Sequence, residues 1–112
     1  MNYRTIVPLI AVALLIAACG TSQSEIAYGD LPAEGDIASG ETLYTQGVGT
    51  TPSCTGCHVA GAAGAPSLEG YAEVAGERVE GQDAREYSFY AIVEPGQYIV
   101  EGYGNAMYNR YD

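Results

Sequence analysis

At 112 residues the chain has room for one small domain. It carries 4 basic residues, all Arg, against 14 Asp and Glu, for a formal charge of −10. That balance excludes a nucleic-acid surface, because no basic patch is present to displace counterions from phosphates. The 47% hydrophobic content is inflated by the run at residues 5–18, TIVPLIAVALLIAA. That run is too short for a stable bilayer-spanning helix, which needs about 20 apolar residues.

The chain opens as an export signal: a positive charge at Arg4, the apolar run, then small residues. Ile16-Ala17-Ala18-Cys19 fits the bacterial lipobox, so residues 1–18 are predicted to be a lipoprotein signal peptide cut before Cys19. Cys19 would then take a thioether-linked diacylglycerol. Two or three acyl chains anchor stably where one is marginal. The alternatives are an ordinary signal peptide with an incidental cysteine, or a short uncleaved anchor. The expected location is outside the cytoplasm, lipid-anchored to a membrane and facing the periplasm or the cell exterior. Residues 19–35 read as a lipidated flexible tether, rich in Gly, Ser, Thr and acids; the alternative, packing on the domain, has only Ile26, Tyr28 and Leu31 as large apolar residues to carry it. A coil of that length has a root-mean-square span of roughly 20–24 Å.

A domain is expected over 36–112. Its first helix is predicted from Ile37 to about Gln46, with Asp36 at its start. Ile37, Gly40, Leu43 and Tyr44 share one face by the i, i+3, i+4 rule, and the Gly40/Tyr44 pair suggests close approach of another helix. A short helical turn follows at Cys54-Thr55-Gly56-Cys57-His58. Residues 59–70, VAGAAGAPSLEG, read as a loop. A second helix is predicted from Ala84 to about Val93. Asp83 and Glu86 form a capping box at its start and Pro95 stops it. Tyr87, Tyr90 and Ala91 mark one face of this helix, and Phe89, Ile92 and Val93 another. No useful β-alternation appears, so the predicted class is all-α.

The C-x-x-C-H pattern at residues 54–58 is the attachment signature of a c-type haem. Two thiols on one helical turn can each add to a vinyl group on the same porphyrin edge. The next residue, His58, then offers an imidazole nitrogen to the iron. Attachment of this kind follows export, so the signal segment and the motif agree. A structural zinc site would need four ligands, and beyond Cys19 the chain has one cysteine pair and one His. A thioredoxin-like redox pair needs a strand–helix alternation that is not apparent around residue 54. An inert Cys54–Cys57 disulfide would close a very small loop. For the second axial ligand, His58 is the only His, and Met107 is the only Met outside the signal segment. A lone Met is often core filler. Met107 instead sits in Gly102-Tyr103-Gly104-Asn105-Ala106-Met107, which has little core character, so it is expected to be the sixth ligand.

Three further segments accompany the haem motif. They are Gly35-Asp36-Ile37-Ala38-Ser39-Gly40-Glu41-Thr42-Leu43-Tyr44, Gly64-Ala65-Pro66-Ser67-Leu68-Glu69-Gly70, and the approach to Met107 from Ile92 through Pro95 to Tyr103. With these, the region from Asp36 to Asp112 resembles the small class I cytochromes c, especially the monohaem domains of bacterial respiratory complexes. The resemblance implies a small all-α cytochrome c fold around one covalent haem c. It implies that the Pro66 carbonyl accepts the Nδ1–H of His58, that Leu68 packs on the haem and that Arg78 meets a haem propionate. Arg78 could instead pair with Glu77 or Glu80. One of Tyr98, Tyr103 and Tyr108 could reach a propionate or the Met loop, beside the ordinary role of tyrosines in amphipathic packing. Only five residues follow Met107, where the family has a final helix packed across the first, and Tyr108 stands where the family has Pro. The expectation is a C-terminally truncated domain, with another subunit supplying the helix as the alternative.

The expected function is one-electron transfer between redox proteins in or at the membrane, with the iron cycling between Fe(III) and Fe(II) and no catalysis by the chain itself. Its partners would be redox donors and acceptors, with membership of a larger respiratory complex as one arrangement. A haem enzyme or gas sensor, peroxidase-like, is the alternative. It requires an open sixth iron position and distal acid–base groups, and the chain has no second His. A third class, a non-haem interaction lipoprotein, requires the C-x-x-C-H to be accidental.

Overall fold

The structure, a computed structural model, describes residues 25–111. The predicted signal peptide, the lipobox with Cys19 and the first part of the expected tether lie outside the described residues. Among the described residues the fold is helical, with helices α1 (Ile37–Gln46), α2 (Tyr71–Val74) and α3 (Ala84–Val93), short 3-10 turns before and between them and no β-strand. None of these helices is long and apolar enough to cross a membrane.

α1 begins where the Asp36 carboxylate accepts the Ser39 N–H at 2.8 Å, satisfying one of the amides that a helix start leaves unpaired. The same bond pulls the Asp36 carboxyl below its ordinary value. α1 ends at Gly47, whose N–H bonds the Leu43 carbonyl at 2.9 Å. Gly47 has φ +73°, and a Cβ there would fall 2.3 Å from the Thr51 carbonyl oxygen, so only glycine makes this turn. The chain then reverses through a bridge between Val48 and Thr51 and enters a 3-10 turn at Cys54–Gly56. α1 packs on that turn.

The helix expected to approach α1 at Gly40 and Tyr44 is absent among the described residues. α1 buries no residue, Ile37 is 88% exposed, and nothing lies within 4 Å of a Cβ built on Gly40. The other helical elements pack on one another instead. α2 leads into a 3-10 turn at Ala75–Glu77, which lies on α3. Ala75 is 1% exposed and, among the described residues, is one of five core residues, with Ala65, Tyr87, Phe89 and Val93.

α3 starts where the Asp83 carboxylate accepts the Glu86 N–H at 2.8 Å, the Asp83 half of the expected capping box. It stops at Glu94, one residue before Pro95. At about 100° per residue, Tyr87 and Phe89 lie on opposite sides of the helix. Tyr87 meets Tyr71 and, edge-on at 5.7 Å, Tyr98. Phe89 meets Tyr28 at 5.7 Å and Tyr90 at 5.1 Å. Each ring pair contributes about 0.5–1.5 kcal/mol beyond its buried area. Ile92, expected to share a face with Phe89 and Val93, is 43% exposed.

Part of the segment expected as a tether over 19–35 lies among the described residues. Residues Tyr28–Asp30 form a 3-10 turn on α3, and the Arg85 guanidinium donates to the Pro32 carbonyl. An aromatic side chain in an otherwise polar segment gains more from covering Phe89 than from staying in water.

Phe89→Ala should cost about 3 kcal/mol in urea unfolding, since it empties a core position covered from two sides, whereas the same change at exposed Ile92 should cost far less. Asp36→Ala should speed amide exchange at the start of α1 at neutral pH. Because the folded-state value of Asp36 is depressed, its stabilisation is present above the ordinary carboxylate range and is lost as pH falls through the folded value. The difference from wild type should therefore vanish on acidification.

Candidate functional site

The cysteine motif is held as one tight turn. Gly56 N–H and Cys57 N–H bond back to the Ser53 and Cys54 carbonyls at 3.2 Å, and His58 N–H reaches the Cys54 carbonyl at 2.9 Å. Within the turn, the Thr55 hydroxyl lies 3.4 Å from the Thr45 carbonyl in the last turn of α1, as a donor to it. Both thiols are free, Cys54 half-buried and Cys57 exposed.

His58 is half-buried, and its Nδ1 lies 2.8 Å from the Pro66 carbonyl oxygen. A carbonyl can only accept, so the proton must sit on Nδ1, and the lone pair of neutral imidazole is left on Nε2. The loop between the two residues is made mostly of Ala and Gly. It turns back through an Ala62 N–H to Val59 carbonyl bond at 3.1 Å and seats Ala65 in the core.

The other predicted residues sit on separate segments, all half-buried. Leu68 follows Pro66, and its carbonyl accepts the Tyr71 N–H that begins α2. Arg78 follows the Ala75–Glu77 turn, close to Tyr87. Burial pushes the Tyr87 phenol up, Tyr71 adds to that, and the Arg78 charge pulls against it. Met107 lies in an irregular segment after α3. Among the described residues, no hydrogen bond joins Leu68, Arg78 or Met107 to His58 or the cysteine pair. Tyr98 packs on Tyr87, and Tyr108 packs on Tyr111. Cys19 lies outside the described residues.

Two further residues make contacts that the sequence did not signal. The Tyr111 hydroxyl donates to the Pro52 carbonyl at 3.0 Å, and its ring meets Tyr108 edge-on at 4.9 Å. Burial pushes the Tyr111 phenol up, and the neighbouring Cys54 and Cys57 thiols add to that. In a chain with ten tyrosines nothing marked this one. The Asn105 side chain lies against Gly96, where an added Cβ would come 3.2 Å from its amide nitrogen.

The donor set can be tested against its candidate occupants. Among the described residues, no group of three or more His, Cys, Asp and Glu is gathered to hold a bare metal ion. Two free thiols on one turn beside an imidazole of fixed tautomer suit covalent attachment of a metal macrocycle. A cavity of about 60 Å³ beside Tyr87, Tyr90, Gln97 and Tyr98 admits a few water molecules and is far too small for such a group. Comparison with protein-family models, curated proteins and solved structures finds no match. The functional reading therefore rests on the residues themselves.

Proposed function

We propose that the chain is a membrane-anchored monohaem cytochrome c, a one-electron carrier between membrane redox proteins that is not itself an enzyme. The observation that carries this reading is the Cys54–His58 turn with His58 Nδ1 tied to the Pro66 carbonyl at 2.8 Å. In this reading Cys54 and Cys57 would hold the porphyrin through thioethers, and His58 Nε2 and the Met107 thioether would ligate its iron. Bound there, haem c supplies an Fe(III)/Fe(II) couple whose potential the thioether raises.

The chain's own residues do the rest. The Pro66 bond stops His58 from rotating and makes its free nitrogen a better donor. Leu68 excludes water from the macrocycle, and Arg78 offsets a propionate charge. The acidic surface favours partners with a basic docking patch, an attraction that raises the association rate and weakens with salt. The helical fold is read as a small cytochrome c domain.

The first test is the optical spectrum of the exported chain after denaturing extraction. A c-type spectrum that survives extraction, and is lost in Cys54→Ser/Cys57→Ser, is expected; haem that washes out refutes the proposal. In the native chain, Met107→Ala should abolish the weak long-wavelength sulfur-to-iron band and lower the potential. If the native wild type carries covalent haem but lacks that band, the open-site enzyme or sensor reading replaces the carrier. Cys19→Ser should move the protein from the membrane to the soluble fraction, and continued membrane binding would reject the lipid anchor.

A further inference from the structure

Met107 sits on a stretch without regular structure, yet that stretch is fastened on both sides. Upstream, Asn105 lies against Gly96, just after the end of α3. Downstream, the Tyr111 hydroxyl donates to the Pro52 carbonyl at 3.0 Å, a bond that spans 59 positions of sequence. Pro52 stands two residues before Cys54, so Tyr111 docks on the chain that carries the cysteine pair. The Tyr111 ring is also packed edge-on against Tyr108, the residue next to Met107.

The reach of the backbone turns this contact into a constraint. Four residue steps separate Met107 from Tyr111, and fully extended chain covers at most about 14 Å over that distance. While Tyr111 holds Pro52, the Met107 Cα stays within this distance of the Tyr111 Cα, whose side chain is tied beside the cysteines. Without the bond, Met107 would hang on a longer free segment, and its return would carry a larger loop-closure cost.

We propose that Tyr111 is a positioning residue for Met107: its hydroxyl pins residues 108–111 to the Pro52 carbonyl beside the cysteine pair and keeps the Met107 thioether within reach of a metal held by His58. The inference rests on the carrier reading, which supplies the metal. Among the described residues no hydrogen bond joins Tyr111 to Met107 or His58, so Tyr111 acts through the chain between itself and Met107. The electron-transfer chemistry is unchanged by it; the lifetime of the sixth ligand is set by it.

Imidazole competition on the exported, haem-loaded chain tests this. Tyr111→Phe keeps the ring on Tyr108 and removes the hydroxyl. It should lower the imidazole concentration that half-displaces the sulfur-to-iron band by about fivefold, the equivalent of one net hydrogen bond. Amide exchange at residues 108–111 should quicken in the same variant, and Tyr111→Ala should move both readouts further. Tyr108→Phe, which keeps the ring pair, should move neither. Wild-type titration and exchange in Tyr111→Phe, with the band present, would overturn the positioning role alone. Absence of the band in the wild type would overturn it together with Met107 as a ligand, and absence of covalent haem would overturn the carrier reading as well.

Discussion

The hydrogen bond between His58 Nδ1 and the Pro66 carbonyl is the constraint on which the rest of the site depends. It decides which imidazole nitrogen keeps its lone pair and fixes the ring in one plane. The intervening loop returns to its starting point within eight residues, through a turn at Gly61 whose φ of +81° favours glycine. Ala65 carries the constraint into the core, because its burial fixes the carbonyl-bearing proline that follows. On the other side of the motif, Gly47 performs the complementary task. By admitting a turn closed to other residues, it delivers the chain from the end of α1 to the first cysteine.

Burial is distributed unevenly around this frame. The core lies on both sides of α3, in aromatic contacts that draw Tyr28, Tyr71 and Tyr98 from three distant parts of the sequence. The helix nearest the cysteines, α1, buries nothing. The half of the domain that holds the candidate site thus depends on hydrogen bonds and turn geometry, and the other half on apolar packing. On the proposed reading, a large apolar macrocycle bonded to Cys54 and Cys57 would supply the packing that the first half lacks. A domain this small is marginal on side-chain burial alone.

What could be read from sequence was local. α1 and α3 begin and end where their Asp caps, Gly47 and Pro95 put them, because capping and chain breaking act within a few residues. The tight turn at the cysteines and the irregular loop after it follow from composition for the same reason. α2 was not legible, since four residues between Gly70 and another glycine-containing turn show no periodicity. The docking of Tyr28 on Phe89 and of Tyr111 on Pro52 was equally hidden. Both are pairings across more than fifty residues, made by a residue type too common here to stand out. Gly40 and Tyr44 have the spacing of a helix–helix seam, but spacing does not carry the partner with it, and among the described residues no helix fills that seam.

The docking of Tyr28 also changes the mechanics of the proposed anchor. If the domain is held by acyl chains on Cys19, the leash ends at Tyr28 and not near residue 35. Nine residue steps allow at most about 32 Å of extension. The volume the domain can sweep grows steeply with leash length, so shortening it concentrates the domain in a thin layer over the bilayer. A redox partner embedded in the same membrane would meet it often, and one diffusing freely in the aqueous compartment would gain no such advantage. On the proposed reading, the aromatic contact that secures α3 would thus bias the choice of partner without touching one.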